Sequence, residues 1–150
     1  MKRDWRHNEV QLLTQVKELL GRLKGELLPD FAIGAGARVD FRLKTDNAAY
    51  IVEIKGASAG DYLSFATWGQ MTMYKKVIES WHKPDSPEVV PILVTNAVVS
   101  DDLRAAFEKS RIAVVEVEIG EDLTHTQQKL ERVLEDLGLP VPEVKVSSAS

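Results

Sequence analysis

From Val10 to Leu23 the apolar positions Val10, Leu12, Leu13, Val16, Leu19, Leu20 and Leu23 recur at intervals of three and four. That spacing predicts an amphipathic helix over about residues 8–24, with Asn8 or Asp4 as candidate N-caps and Gly25 as its stop. Short extended segments follow at 31–33, 37–43 and 50–55, with Lys44-Thr45-Asp46-Asn47 reading as the turn between the last two, so a three-stranded meander is expected. After the loop Gly56 to Asp61 the helical period returns at Trp68, Met71, Tyr74, Val77, Ile78 and Trp81, ending before Pro84. Ile92-Leu93-Val94-Thr95 has the continuous apolar character of a buried strand. Ser100-Asp101-Asp102 caps a third helix to about Lys109, a strand is expected over 112–119, and a fourth helix runs from about Asp122 to Leu137.

The predicted order is therefore αβββαβαβα. Antiparallel strands first and alternating helices and strands later predict an α/β fold, with a mixed sheet that is parallel in its later part and covered by helices on both faces. No internal repeat appears, and one domain over 1–140 is expected. Gly138 and Pro140 end the last helix, and 141–150 reads as a frayed tail.

Composition narrows the function classes. The 150 residues are 44% hydrophobic and 28% charged, which suits one globular domain with its own core. The absence of cysteine excludes thiol nucleophiles, iron–sulfur clusters, zinc ribbons and disulfides. No apolar run approaches the roughly 18 residues of a membrane helix, and no signal-peptide core is visible, so a cytoplasmic protein without membrane association is expected. The net charge of −4 is unevenly spread: residues 1–25 carry six basic and three acidic side chains, residues 91–150 six and eleven. The N-terminal part is the one suited to a polyanion.

Several familiar signatures fail. Gly34-Ala35-Gly36 opens like a dinucleotide fingerprint, but the third glycine is missing and a strand follows instead of a helix. There is no phosphate-binding loop, nucleophile elbow or H-E-x-x-H, and His7, His82 and His125 are scattered. One constellation remains: Asp40, followed thirteen residues later by Glu53-Ile54-Lys55. An E-x-K triplet alone is common, and Glu143-Val144-Lys145 is a second copy with no carboxylate-bearing strand before it. In the first copy, Glu53 and Lys55 share one face of an otherwise apolar strand. Antiparallel pairing with the preceding strand can set Asp40 beside Glu53. Two carboxylates there repel unless a cation lies between them. The grouping suits metal-assisted phosphodiester hydrolysis: Mg²⁺ or Mn²⁺ held by Asp40, Glu53 and the Ile54 carbonyl, with Lys55 orienting the attacking water and offsetting phosphate charge. The alternative is a Glu53–Lys55 salt bridge with Asp40 in a turn.

Three further positions bear on that choice. Glu9 lies on the stripe of Leu13, Val16 and Leu20, where an inward carboxylate could reach a metal through water; it can equally be a first-turn acid answering the helix dipole. Gln70 and Tyr74, at i and i+4, share a helix face and can meet a phosphate or Lys55, or form a half-buried polar pair. Ser58 in the substrate-facing loop, with Lys75 and Lys76, offers phosphate contacts, the lysines reading equally well as a solvated face.

Taken together these residues resemble the PD-(D/E)xK nuclease superfamily over about residues 9–95. Val39-Asp40 stands for its first motif and Glu53-Ile54-Lys55 for its second. Glu9 is similar to the first-helix glutamate of archaeal Holliday-junction resolvases, Gln70 to Tyr74 resembles the Q-x-x-x-Y element of RecB-type nucleases, and Val94-Thr95-Asn96 looks Mrr-like. Pro29-Asp30, in what reads as a loop, is the second candidate for the first motif. The resemblance implies a restriction-endonuclease-like αβββαβ core with a C-terminal αβα extension. It also implies a metal-dependent phosphodiesterase, an endonuclease acting on DNA rather than RNA, working as a homodimer or with a partner protein. The rival is a catalytically inactive nuclease-like module that binds nucleic acid or protein.

Overall fold

The computed structural model describes residues 5–34, 36–81 and 83–145. Its elements are α1 (Trp5–Gly21), β1 (Glu26–Gly34), β2 (Ala37–Lys44), β3 (Ala48–Lys55), α2 (Phe65–Ser80), β4 (Glu88–Thr95), α3 (Asp101–Lys109), β5 (Ala113–Glu116) and α4 (Leu123–Asp136). This is the predicted order. The strands form one sheet, β1-β2-β3-β4-β5, antiparallel across the first three and parallel from β3 to β5.

β3 sits at the centre, and helices cover both its faces, which is why it reads as an apolar run rather than an alternating one. On one face Leu12, Val16, Leu19 and Leu20 of α1 and Leu130 and Leu134 of α4 pack on Tyr50, Val52 and Ile54. On the other, Met71, Tyr74 and Ile78 of α2 and Leu103 and Phe107 of α3 pack on Ile51 and Leu93. Ser64, Ser100 and Asp122 cap α2, α3 and α4 by accepting N–H bonds from Ala66, Leu103 and Thr124.

Several boundaries differ from the sequence expectation. α1 begins by Trp5, so Asn8 lies inside the helix rather than capping it; Asp4 falls outside the described residues, as does His82. Asn8, Leu12, Gln15, Val16, Leu19 and Leu20 are buried, whereas Leu13 is exposed, so the inward stripe is rotated from the predicted one. β5 is half its expected length. Pro29 and Asp30 lie within β1, not in a loop. Part of the expected frayed tail is held: Val144 bridges Leu23, the Glu143 carbonyl accepts the Lys24 N–H at 2.7 Å, and the Lys145 N–H reaches the Arg22 carbonyl at 2.8 Å. Residues 146–150 lie outside the described ones.

One irregularity sets up the site. In a regular strand every second residue faces the same way. In β2, however, Phe41 and Leu43 pack in the α1–α4 layer and Val39 in the α2–α3 layer. The partner strand changes faces at the same level, Leu27 packing on the first layer and Phe31 and Ile33 in the second. Between them Asp30 has φ of 51°, a left-handed conformation that reverses the alternation. The β1–β2 hairpin therefore bends as a unit at Asp30 and Asp40. The paired register of β2 with β3 runs from Lys44↔Ala49 to Phe41↔Val52, one residue short of Asp40 and Glu53.

Candidate active site

Asp40 and Glu53 stand where β2 parts from β3, and their side chains take over the hydrogen bonding that the ladder no longer supplies. The Asp40 N–H donates to Glu53 Oε1 at 3.3 Å, and the Ile54 N–H donates to Asp40 Oδ2 at 2.8 Å. Each carboxylate thus binds backbone of the other's strand, and the two converge as the sequence register predicts. Glu53 is 6% exposed, while Asp40 is half-buried. Burial is the largest cause raising the Glu53 pKa to about 9, reinforced by hydrogen bonding to and charge from Asp40, against the opposing pull of Lys55 and the Asp40 N–H.

Tyr74 approaches the pair from α2. Burial first, then the charges of Glu53 and Asp40, raise its pKa, while a hydrogen bond with the Gln70 side chain acts the other way. Tyr74 is therefore within electrostatic reach of the two carboxylates, and Gln70 is bonded to Tyr74. Lys55, half-buried at the end of β3, lies close enough to act on Glu53 electrostatically.

The remaining candidates divide. Glu9 Oε1 accepts the Gly56 N–H at 3.4 Å, so it meets the strand just past Lys55. Among the described residues no group of three His, Cys, Asp or Glu side chains is set to hold a metal ion, and Glu9 stands apart from the Asp40–Glu53 pair. Ser58 lies in the loop beyond, its carbonyl accepting the Asp61 N–H at 3.1 Å. Lys75 is not at the site: its amine donates to the Ser110 carbonyl at 3.2 Å, beside the end of α3, and Lys76 is exposed. Asp30 is spoken for by Arg38 at 2.8 Å on the outer hairpin and does not join the pair.

Three polar residues noted in the sequence, Asn8 as a candidate cap and Thr95 and Asn96 within an Mrr-like segment, but not among the candidate site residues, lie around the exit of β3. Asn8 donates to the Ala57 carbonyl at 2.7 Å. Asn96 donates to the same carbonyl at 2.9 Å and accepts the Ala57 N–H at 2.7 Å. Thr95 donates to the Lys55 carbonyl at 2.8 Å. The signal available in the sequence was a buried-strand run ending in Thr-Asn, and an asparagine on the apolar stripe of α1 four residues before Leu12. A cleft of about 480 Å³ lies at the other end of β3, lined by Lys24, Asn47, Tyr50, Pro140 and Glu143, and includes none of the candidate residues.

A mixed five-stranded sheet, antiparallel in its first three strands and parallel in its last three, with helices on both faces, is a restriction-endonuclease-like fold. Comparison with solved structures agrees. The chain is similar to a repair endonuclease from Pyrococcus abyssi, with a TM-score of 0.54 and 15% identity over 78% of this chain and 48% of that one. It also matches the small subunit of a heterodimeric restriction endonuclease, with a TM-score of 0.44 and 12% identity over 86% and 67% of the two chains. The chain thus spans about half the length of the repair endonuclease it matches. No family model matches the sequence, and neither does any curated protein. No helix among the described residues is long and apolar enough to cross a membrane.

Proposed function

We propose that this protein is a metal-dependent nuclease that hydrolyses phosphodiester bonds in nucleic acid, with DNA as the favoured substrate and Mg²⁺ or Mn²⁺ as the cofactor. The observation that carries this reading is the Asp40–Glu53 pair, two carboxylates converging where β2 parts from β3, with Glu53 buried. Such a pair holds a proton, or a cation, in preference to two bare charges. The donor set fits a hard divalent ion: the carboxylates of Asp40 and Glu53 and the Ile54 carbonyl would hold it as oxygen ligands, and Glu9, bonded to the Gly56 N–H, would reach it only through water. The bound ion supplies an activated water and offsets charge on the phosphate.

The chain's own groups do the rest. The Lys55 ammonium, on the same strand face as Glu53, orients the attacking water and stabilises the charge that builds on the phosphate oxygens. Tyr74 and Gln70, linked to each other, offer an O–H and an amide N–H to the phosphate from α2. The likeness to a repair endonuclease supports nucleic acid as the substrate class. We favour endonucleolytic action by a homodimer or in company with a partner protein. The net charge of −4 supports the other reading, a module without catalysis that is brought to nucleic acid or protein by a partner.

The test is cleavage of labelled linear duplex, single-stranded, four-way-junction and circular DNA, and of RNA, in Mg²⁺, Mn²⁺ or EDTA. Metal-dependent cutting that disappears in both Asp40→Ala and Lys55→Ala supports the proposal, and cutting of the circle makes the enzyme an endonuclease. Cutting that survives Asp40→Ala, or no cutting of any substrate, refutes it.

A further inference from the structure

Four backbone groups from the Lys55 carbonyl to the Ala57 carbonyl are held by side chains. The Lys55 carbonyl accepts from Thr95, the Gly56 N–H donates to Glu9, the Ala57 N–H donates to Asn96, and the Ala57 carbonyl accepts from both Asn8 and Asn96. These partners come from α1 on one side and from the end of β4 on the other, 39 to 49 residues away for the two asparagines and Ala57. Gly56 is locked as well: a Cβ there would stand 2.5 Å from the Glu9 backbone. A strand that merely turned into a loop would leave such groups to water, so this segment is fixed far more tightly than its role as a connection requires.

Asn8 is the informative member. It is 3% exposed, and its Oδ1 has no hydrogen-bond partner among the described residues. The bond from Nδ2 to the Ala57 carbonyl fixes which way the amide points. A buried amide with one unpaired oxygen costs stability, so packing does not account for asparagine at a position on the buried stripe of α1.

We infer that Asn8 and Asn96 are positioning residues that clamp the Ala57 peptide from both sides and thereby hold Lys55, two residues earlier, in register with Glu53. This rests on the proposed nuclease reading, in which Lys55 must meet the attacking water; the clamp itself is a statement about the backbone. Neither asparagine touches the substrate. They act through the chain, as groups that orient metal ligands and catalytic side chains do in other sites.

The test uses the whole chain and the variants Asn8→Ala, Asn96→Ala and Asn96→Asp, with cleavage kinetics in Mg²⁺ and amide hydrogen exchange at Gly56 and Ala57. Loss of the clamp is expected to lower kcat by about 10- to 100-fold at unchanged KM, the range for groups that orient a site without contacting its substrate. Asn8→Ala is expected to keep or raise the melting temperature while it loses activity, which separates positioning from stability. Asn96→Asp, which keeps the acceptor for the Ala57 N–H, is expected to fall between wild type and Asn96→Ala. Should Asn96→Ala not fold, Asn8→Ala carries the test alone. Wild-type kcat in Asn8→Ala, or a change in KM only, overturns the inference and leaves the nuclease reading intact. If the wild type cuts no nucleic acid, the nuclease reading falls. The clamp is then decided by exchange: faster exchange at Ala57 in the variants upholds it, and unchanged exchange overturns it.

Discussion

Replacing Glu53 by glutamine is the most direct probe of the electrostatics that support the site. Glu53 is 6% exposed and its pKa is raised from 4.5 to about 9, chiefly by burial and then by Asp40. In the unfolded chain the same carboxyl ionises near its ordinary value. Between those two values the folded protein binds a proton that the unfolded chain has released, so metal-free stability falls as pH rises through this window and is fully present only below about pH 4.5. Each pH unit inside the window is worth at most about 1.4 kcal/mol, so going from pH 5 to pH 8 costs up to about 4 kcal/mol from this one group. For a domain of this size that corresponds to a melting temperature lower by about 10 °C. Glu53→Gln removes the titrating group while retaining shape and a neutral acceptor for the Asp40 N–H. The expected outcome is a variant more stable than wild type at pH 8 in EDTA, equal to it near pH 4.5, and inactive as a nuclease. Thermal melts of both proteins in EDTA across pH 4.5–8 give the difference, in which other titrating groups cancel. Adding Mg²⁺ is expected to close the gap at pH 8 by stabilising wild type alone. A difference between the two proteins that does not change with pH would show that Glu53 is ionised in the metal-free fold and would sink the electrostatic argument.

Other expectations follow from single contacts. Gly56→Ala pushes a Cβ to 2.5 Å from the backbone of Glu9 and is expected to destabilise by about 1–3 kcal/mol in urea unfolding, with activity lost as α1 is displaced. Tyr50→Phe removes the hydroxyl that donates to the Pro140 carbonyl at 2.7 Å; a loss of about 1 kcal/mol by the same method, with cleavage unchanged, is expected, because this tyrosine lies at the far end of β3. Lys75→Ala is expected to leave cleavage and its salt dependence as in wild type, since the amine is engaged at Ser110, whereas Tyr74→Phe is expected to slow cleavage measurably.

The element order and the convergence of Asp40 with Glu53 were legible because both depend on local periodicity and on counting across a short turn. The inward face of α2 and the buried run of β4 follow from spacing alone, and antiparallel register across the 44–47 turn leads from Leu43 opposite Tyr50 to Asp40 opposite Glu53. What failed had long-range causes. Lys75 follows Tyr74 by one residue, hence by about 100° of helix rotation, which turns its amine toward Ser110 and away from the carboxylates. Asparagine favours cap positions, so its place near the start of the helical pattern suggests a cap at Asn8, yet its partner is a carbonyl 49 residues away that no local pattern reveals.

The bend in the first hairpin was hidden for a more interesting reason. Leu27, Pro29, Phe31 and Ile33 read as one alternating face, and so do Val39, Phe41 and Leu43. The structure divides both sets between two cores, at Asp30 in one strand and at Asp40 in the other. A straight hairpin would have kept Val39 over α1, continued the β2–β3 ladder past Phe41, and closed the gap in which Glu53 meets the Asp40 N–H. Because the outer half of the hairpin instead turns toward α2, Tyr74 comes within electrostatic reach of the two carboxylates from the facing helix, with Gln70 bonded to it. The left-handed backbone at Asp30 costs on the order of 1 kcal/mol or more for a residue with a side chain, offset in part by the Arg38 bond that holds it. Asp30 thus shapes the candidate site without entering it, and the motif-like Pro29-Asp30 pair owes its position to the bend.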